Sequence, residues 1–191
     1  VYRLNVDGRV TFLGEFSADD KIQVITRDGF FRIAGFDLSS HFEENILLIE
    51  KYRPGKVYSV IYWDQELQFY YLKRFTMEES ERPQCFISEF PGSKLISITE
   101  VEYPRFEIHF GGKHKEREAE IIEVAGFIGV KSYKAKGKRL TSYMVDNILE
   151  IEPVVKKEIS IPESGSEEEE QREIPDNQKQ HDDPAQMKLE L

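Results

Sequence analysis

The sequence predicts an all-β protein, a propeller-like array of about four blade-sized units, followed by a disordered acidic C-terminal tail. Three observations carry that expectation. Apolar residues alternate with polar ones, as in RFEIHF at 105–110, where Phe106, Ile108 and Phe110 flank Glu107 and His109. Turn dipeptides punctuate the runs at Asp7-Gly8, Asp28-Gly29, Pro54-Gly55, Pro91-Gly92 and Gly111-Gly112. Strands open at Lys21, Lys56, Lys94 and Phe127, in steps of 35, 38 and 33 residues. A repeat of this length in a β sequence suggests blades that bury their faces on one another. Hairpin spacing in an ordinary β-sandwich gives a similar period and stays open as an alternative.

Taken in order, residues 1–16 read as a hairpin around Asp7-Gly8, and residues 21–36 as a second around Asp28-Gly29. Ile22, Val24 and Thr26 share one face. Residues 45–51, NILLIEK, fit a buried strand or the end of a short helix, and strand is preferred. Residues 56–75 form two aromatic strands around a turn at 64–66. Residues 94–110 form two more around Tyr103-Pro104. The stretch 115–124 is ambiguous, since EREAEII holds helix formers while IIEV suits a strand. Residues 127–143 are a further strand, turn, strand unit with Gly137 at the bend, and 148–155 close the ordered region. Each blade-like unit carries a base near an end of its aromatic strand: Arg32, Lys73 with Arg74, Arg105, Lys138 with Arg139.

The chain has 191 residues and a formal net charge of -10, but its acid is concentrated at one end. Residues 158–191 hold eleven acids and three bases, net -8; removing them from totals of 36 and 26 leaves 25 acids and 23 bases, net -2. Residues 1–157 are thus expected to be a nearly neutral domain whose local patches choose its partners. The tail, with its run Glu167 to Glu170, lacks the apolar residues needed to offset ordering entropy. Cys85 is alone, so a disulfide framework is excluded and a reducing, cytoplasmic setting is favoured. No apolar run approaches the ~20 residues of a membrane helix. The chain opens at Val1 with no signal-like segment, which reads as a fragment of a longer protein.

The charge anomaly is FIGVKSYKAKGKR at 127–139, with Lys131, Lys134, Lys136, Lys138 and Arg139 and no acid. Like charges so close repel unless solvent or a polyanion neutralises them. In an extended chain, Lys134, Lys136 and Lys138 would face one way, roughly 6.6 Å apart, matching about two nucleotide steps. A phosphate-contacting segment and a solvated basic turn both fit this composition.

Enzyme signatures are missing. The phosphate-loop pattern fails at Gly137-Lys138, because Ser132 stands where a Gly is required and Arg139 follows the Lys. His41, His109, His114 and His181 are scattered without metal-ligand spacing. No nucleophile elbow occurs. Glu43-Glu44 and Glu78-Glu79 suit solvated turns. No catalytic residue or metal ligand is expected.

VAGFIGVKSYKAKGKRLTSY (124–143), with DDKIQVITRDGFFRIAGFDLS (19–39) and VEYPRFEIHFGG (101–112), resembles the C-terminal domain of the A subunit of bacterial type IIA topoisomerases. Topoisomerase IV A subunits of the Bacteroides kind are the nearest likeness, over most of 1–157. The resemblance implies a β-pinwheel, a propeller-like disc that exchanges strands between blades and bends duplex DNA around a basic rim. It implies an accessory module without a cofactor of its own. Strand cleavage belongs to an N-terminal core that joins the A-subunit dimer, while ATP and Mg2+ belong to the B subunit. No glutamine-, arginine- and glycine-rich box of the gyrase type is present, which favours decatenation or relaxation over supercoil introduction.

The expected DNA contacts are first Lys131, Lys134, Lys136, Lys138 and Arg139. Behind them come Arg27, Arg32, Lys73, Arg74, Arg105, Lys113, Lys115 and Arg117. Neutralising five to eight phosphates predicts a salt slope of about -4.5 to -7. Bending a 20–30 bp site costs about 1–6 kcal/mol, which those contacts must offset. The tail is expected either to solubilise or to compete with DNA for the rim; truncation after Lys157 would tighten binding in a gel shift only in the second case. A β-repeat scaffold for protein partners is the rival reading, and a gyrase wrapping domain the alternative within the family.

Overall fold

A computed structural model of the chain describes residues 2–3, 13–35, 41–42 and 44–153. The chain divides into units Val1–Lys156 and Lys157–Leu191, and every described residue lies in the first. The expected turn at Asp7-Gly8 and the acidic tail fall outside the described residues.

The structure is almost wholly β. Strands β1 (Tyr2–Arg3) and β4 (His41–Phe42) form a short ladder. β2 (Ile22–Thr26) and β3 (Phe30–Ala34) form the hairpin expected around Asp28-Gly29. β5 (Ile46–Lys51) flanks β2, so NILLIEK is a strand, and β8 (Gln84–Cys85) flanks β3. The central sheet is built on the long hairpin of β6 (Val57–Asp64) and β7 (Phe69–Thr76). β9 (Lys94–Thr99) lies beside β6; β12 (Val130–Ser132) and β13 (Lys138–Arg139) lie beside β7. The third sheet places β10 (Arg105–Phe110) between β11 (Glu120–Glu123) and β14 (Val145–Ile151). The ambiguous stretch before Val124 resolves into β11, and a one-turn helix, α1 (Val124–Phe127), follows it.

Two expected hairpins are corrected. β9 and β10 belong to different sheets, because Leu95 and Ile98 pack on one core while Phe106, Ile108 and Phe110 build another. β12 and β13 do not pair with each other either. Both use the same strand, β12 parallel and β13 antiparallel to β7. Tyr133 takes the chain off the sheet by burying its ring in a core, and Gly137 brings it back. Lys134, Lys136 and Lys138 therefore do not share one face of a strand.

Alternation along β6 and β7 explains the stacking. Tyr58, Val60, Tyr62 and Phe75 face the first sheet and meet Ile25, Phe31 and Ile33. Ile61 and Leu72 face the other way and meet Phe106, Ile108 and Ile122 of the third sheet. A strand buried on both faces loses the polar half of the usual pattern, which is why FYYL shows no alternation. Each such ring or aliphatic side chain contributes about 1.5–3 kcal/mol on burial. Behind the first sheet, Ile22, Val24 and Phe42 form a third cluster. No barrel or ring closes among the described residues.

A polar strut also joins the first two sheets. Gln23 Nε2 donates to the Tyr58 hydroxyl at 2.5 Å, and that hydroxyl donates to Glu50 Oε1 at 2.6 Å. Lys56 pairs with Glu50 at 2.8 Å and also with Glu100. Burial, reinforced by the Glu50 carboxylate, holds the Tyr58 phenol well above its usual titration range.

Candidate nucleic-acid interface

The basic block runs along the outer edge of the central sheet. Val130, Lys131 and Ser132 lie opposite Arg74, Phe75 and Thr76 of β7, and Lys138 and Arg139 lie opposite Leu72 and Tyr71. Between them residues 133–137 bow outward as a turn, closed by the Ala135 amide donating to Ser132 O at 3.0 Å.

The bow is held from below. The Tyr133 ring meets Phe31 edge-on at 5.0 Å, and its hydroxyl donates to Gln84 Oε1 at 2.9 Å. The Tyr62 hydroxyl donates to Lys136 O at 2.8 Å, and the Leu140 amide to Tyr70 O at 2.8 Å. Carbonyls thus point inward, and the cationic side chains are left outside.

Lys131, Lys134, Lys136, Lys138 and Arg139 are all exposed, and none forms an ion pair among the described residues. Four of them lie over aromatic faces instead. The ring centroids are 5.5 Å away for Lys134 on Tyr133, 5.8 Å for Lys136 on Tyr71, 4.1 Å for Lys138 on Phe127 and 4.6 Å for Arg139 on Phe69. An aromatic face steadies a cation without neutralising it, so its charge stays available to an anion. Lys138 also donates to Phe127 O at 3.4 Å.

A second exposed group surrounds the 3-10 turn Gly112–His114 and holds Lys113, Lys115 and Arg117. Arg117 stacks on Tyr143 at 3.8 Å, and the His114 ring meets the same tyrosine at 4.9 Å. Lys115 has only a loose contact with Glu116, at 3.8 Å. Tyr143 follows Arg139 by four residues, a span of at most about 14 Å. The chain therefore passes from one group to the other within four residues.

The other predicted contacts are dispersed. Arg27 is exposed at the β2–β3 turn, beside a shallow groove lined by Leu47 and Ile96. Arg32 is half-buried over Phe42 and donates to His41 O at 3.3 Å. Arg74 is half-buried and donates to Glu102 O at 3.3 Å; Arg105 is half-buried as well. Lys73 is a correction. It is only 4% exposed, and its ammonium donates to Phe86 O at 2.7 Å and Tyr133 O at 2.5 Å. Period-2 alternation turns it inward with Phe75, so it cannot reach a phosphate.

The aromatic seats Phe69, Tyr71, Phe127 and Tyr143 were not singled out from sequence as part of the site. Their signal was present in the bases that recur next to aromatic strands.

Among the described residues no group of His, Cys, Asp and Glu could hold a metal ion, and no helix is long and apolar enough to cross a membrane. Residues 3–152 match the family described as the topoisomerase C-terminal domain of Bacteroidota. The chain belongs to that family. As a topoisomerase C-terminal domain it is an accessory part of an enzyme whose substrate is DNA. No curated protein and no solved structure matches the chain. For a topoisomerase C-terminal domain, an acid-free basic edge is where a polyanion meets least opposition.

Proposed function

We propose that this domain captures and bends a duplex DNA segment and presents it to the cleavage core of a topoisomerase IV-like enzyme for ATP-dependent strand passage. Decatenation and relaxation are the activities it serves, in the bacterial cytoplasm at the nucleoid. The N-terminal core supplies the A-subunit dimer, and the B subunit supplies ATP and Mg2+. In this reading the stacked sheets are blades of a β-pinwheel, with residues 131–139 on its rim. One observation carries the proposal: exposed cations without acid partners among the described residues, steadied on aromatic faces along one sheet edge. Contacts of this type go to phosphates and read little sequence.

The test is duplex binding by the 191-residue chain across salt concentrations, with a ~40 bp probe and FRET for bending. The salt slope is expected at about -4.5 to -7. Changing Lys134, Lys136 and Lys138 together to Ala is expected to lower its magnitude by about 2.7. An unchanged affinity and slope would sink the assignment, and tight salt-insensitive capture of a protein partner would favour the scaffold reading.

A further inference from the structure

We propose that Lys73 is a positioning residue of the DNA-binding loop: its buried ammonium, bonded to two backbone carbonyls, clamps the loop in its binding conformation. The inference rests on the DNA reading above.

Lysine is almost never fully buried unless paired. Here no carboxylate is paired with it among the described residues. The ammonium bonds two backbone carbonyls, Phe86 O and Tyr133 O, and lies 5.2 Å from the Phe75 ring centroid. Phe86 follows β8, at the edge of the first sheet, and Tyr133 opens the bow that carries Lys134 and Lys136. One side chain of the central sheet therefore ties the loop to the neighbouring sheet. Removing it leaves two buried carbonyls without a donor, and each such group is costly. The loop can relieve that only by turning Tyr133 O toward water, which breaks the outward presentation of the lysines.

The clamp has a charge state. Burial pushes the Lys73 ammonium down to about 8. The titratable group facing it is the Cys85 thiol of β8, which burial pushes up and keeps neutral near pH 7. Asp28 and Glu89 act on that thiol from further away. The Tyr133 and Tyr62 hydroxyls at the same loop are committed to Gln84 and Lys136 O. Above pH 8 the amine keeps two N–H donors, one for each carbonyl, and sheds the cost of a buried charge, so the tie persists in alkali.

The experiment compares the full chain with Lys73→Met and Lys73→Gln on a ~40 bp duplex, from pH 7 to 9.5 at fixed ionic strength. At pH 7 the variants are expected to bind about 5- to 30-fold more weakly. Their salt slope should fall by less than the ~2.7 lost with Lys134, Lys136 and Lys138, since those cations stay on the chain and only their presentation loosens. The wild-type advantage should persist to pH 9.5, because the neutral amine still has a donor for each carbonyl. Variants that bind like wild type at pH 7, or a wild-type advantage that disappears above pH 8, would overturn the inference. If neither variant folds, proton exchange at the 15N-labelled Lys73 ammonium of the wild-type chain decides. Exchange must be slower than that of a solvated lysine, and exchange as fast as a solvated lysine's overturns the clamp. Failure of the wild-type chain to bind duplex at low salt would instead remove the DNA reading, and this inference with it.

Discussion

Gly137 lies directly against the carbonyl of Leu72. A β-carbon built at 137 would stand 2.5 Å from that oxygen and 2.8 Å from Lys73 Cβ, and the backbone there has a φ of +96°. Only glycine satisfies both constraints.

Gly137→Ala is accordingly expected to cost about 1–3 kcal/mol of stability, read by urea denaturation. The damage should fall first on the loop return into β13, so duplex affinity drops even where the variant is folded. A variant as stable and as DNA-competent as wild type would show that the close approach is not required.

Tyr143 seats Arg117 and His114 on the second basic group. Removing it in Tyr143→Ala gives up roughly 0.5–1 kcal/mol of cation–π interaction. Duplex binding should weaken about two- to five-fold with the salt slope kept. Arg117→Ala, which removes the cation itself, should reduce the slope by about 0.9. Equal slopes for the two variants would place Arg117 off the DNA path.

Stability should rise with alkali at Lys73. Its folded-state value of about 8 lies below the ~10.4 of an unfolded lysine, so between them the unfolded chain binds more protons. Stability relative to Lys73→Met must therefore rise with pH through that window, by up to about 3 kcal/mol. Denaturation at pH 7.5, 9 and 10 measures it, and a constant difference between the two proteins would refute it.

Much of this was readable beforehand because strands obey short-range rules. β2, β3, β6, β7 and β10 lie where alternation and turn dipeptides place them, and the basic block is exposed as its charge requires. What escaped was pairing between strands distant in sequence. Nothing local in KLISIT tells whether it turns back on RFEIHF or joins β6. The choice depends on which core Leu95 and Ile98 fill. Lys73 escaped for a related reason. A base beside Arg74 looks like surface until a second sheet is stacked on the face of Phe75.

Asp64 gives a prediction confined to architecture. It is 1% exposed, and its Oδ1 accepts from the amides of Glu66 at 3.0 Å and Leu67 at 3.1 Å. Together these bonds fix the tip of the β6–β7 hairpin, where Gln68 takes a φ of 57°. Asp64→Ala should cost about 1–3 kcal/mol in thermal unfolding while leaving the salt slope of DNA binding unmoved. A changed slope would mean that the tip belongs to the interface.

β7 ends at Thr76, but the strands that cover its outer edge begin at Val130 and end at Arg139. During synthesis that edge stays bare while more than fifty residues emerge from the ribosome. A bare aromatic edge is a template for another chain. Products that stop between residues 100 and 129 should therefore associate through β7, and complete ones should not. In the DNA reading proposed above, the same delay times the function: the cations assigned to DNA are delivered by the segment that seals the sheet, so a nascent chain would gain its grip on DNA only once its own sticky edge is gone.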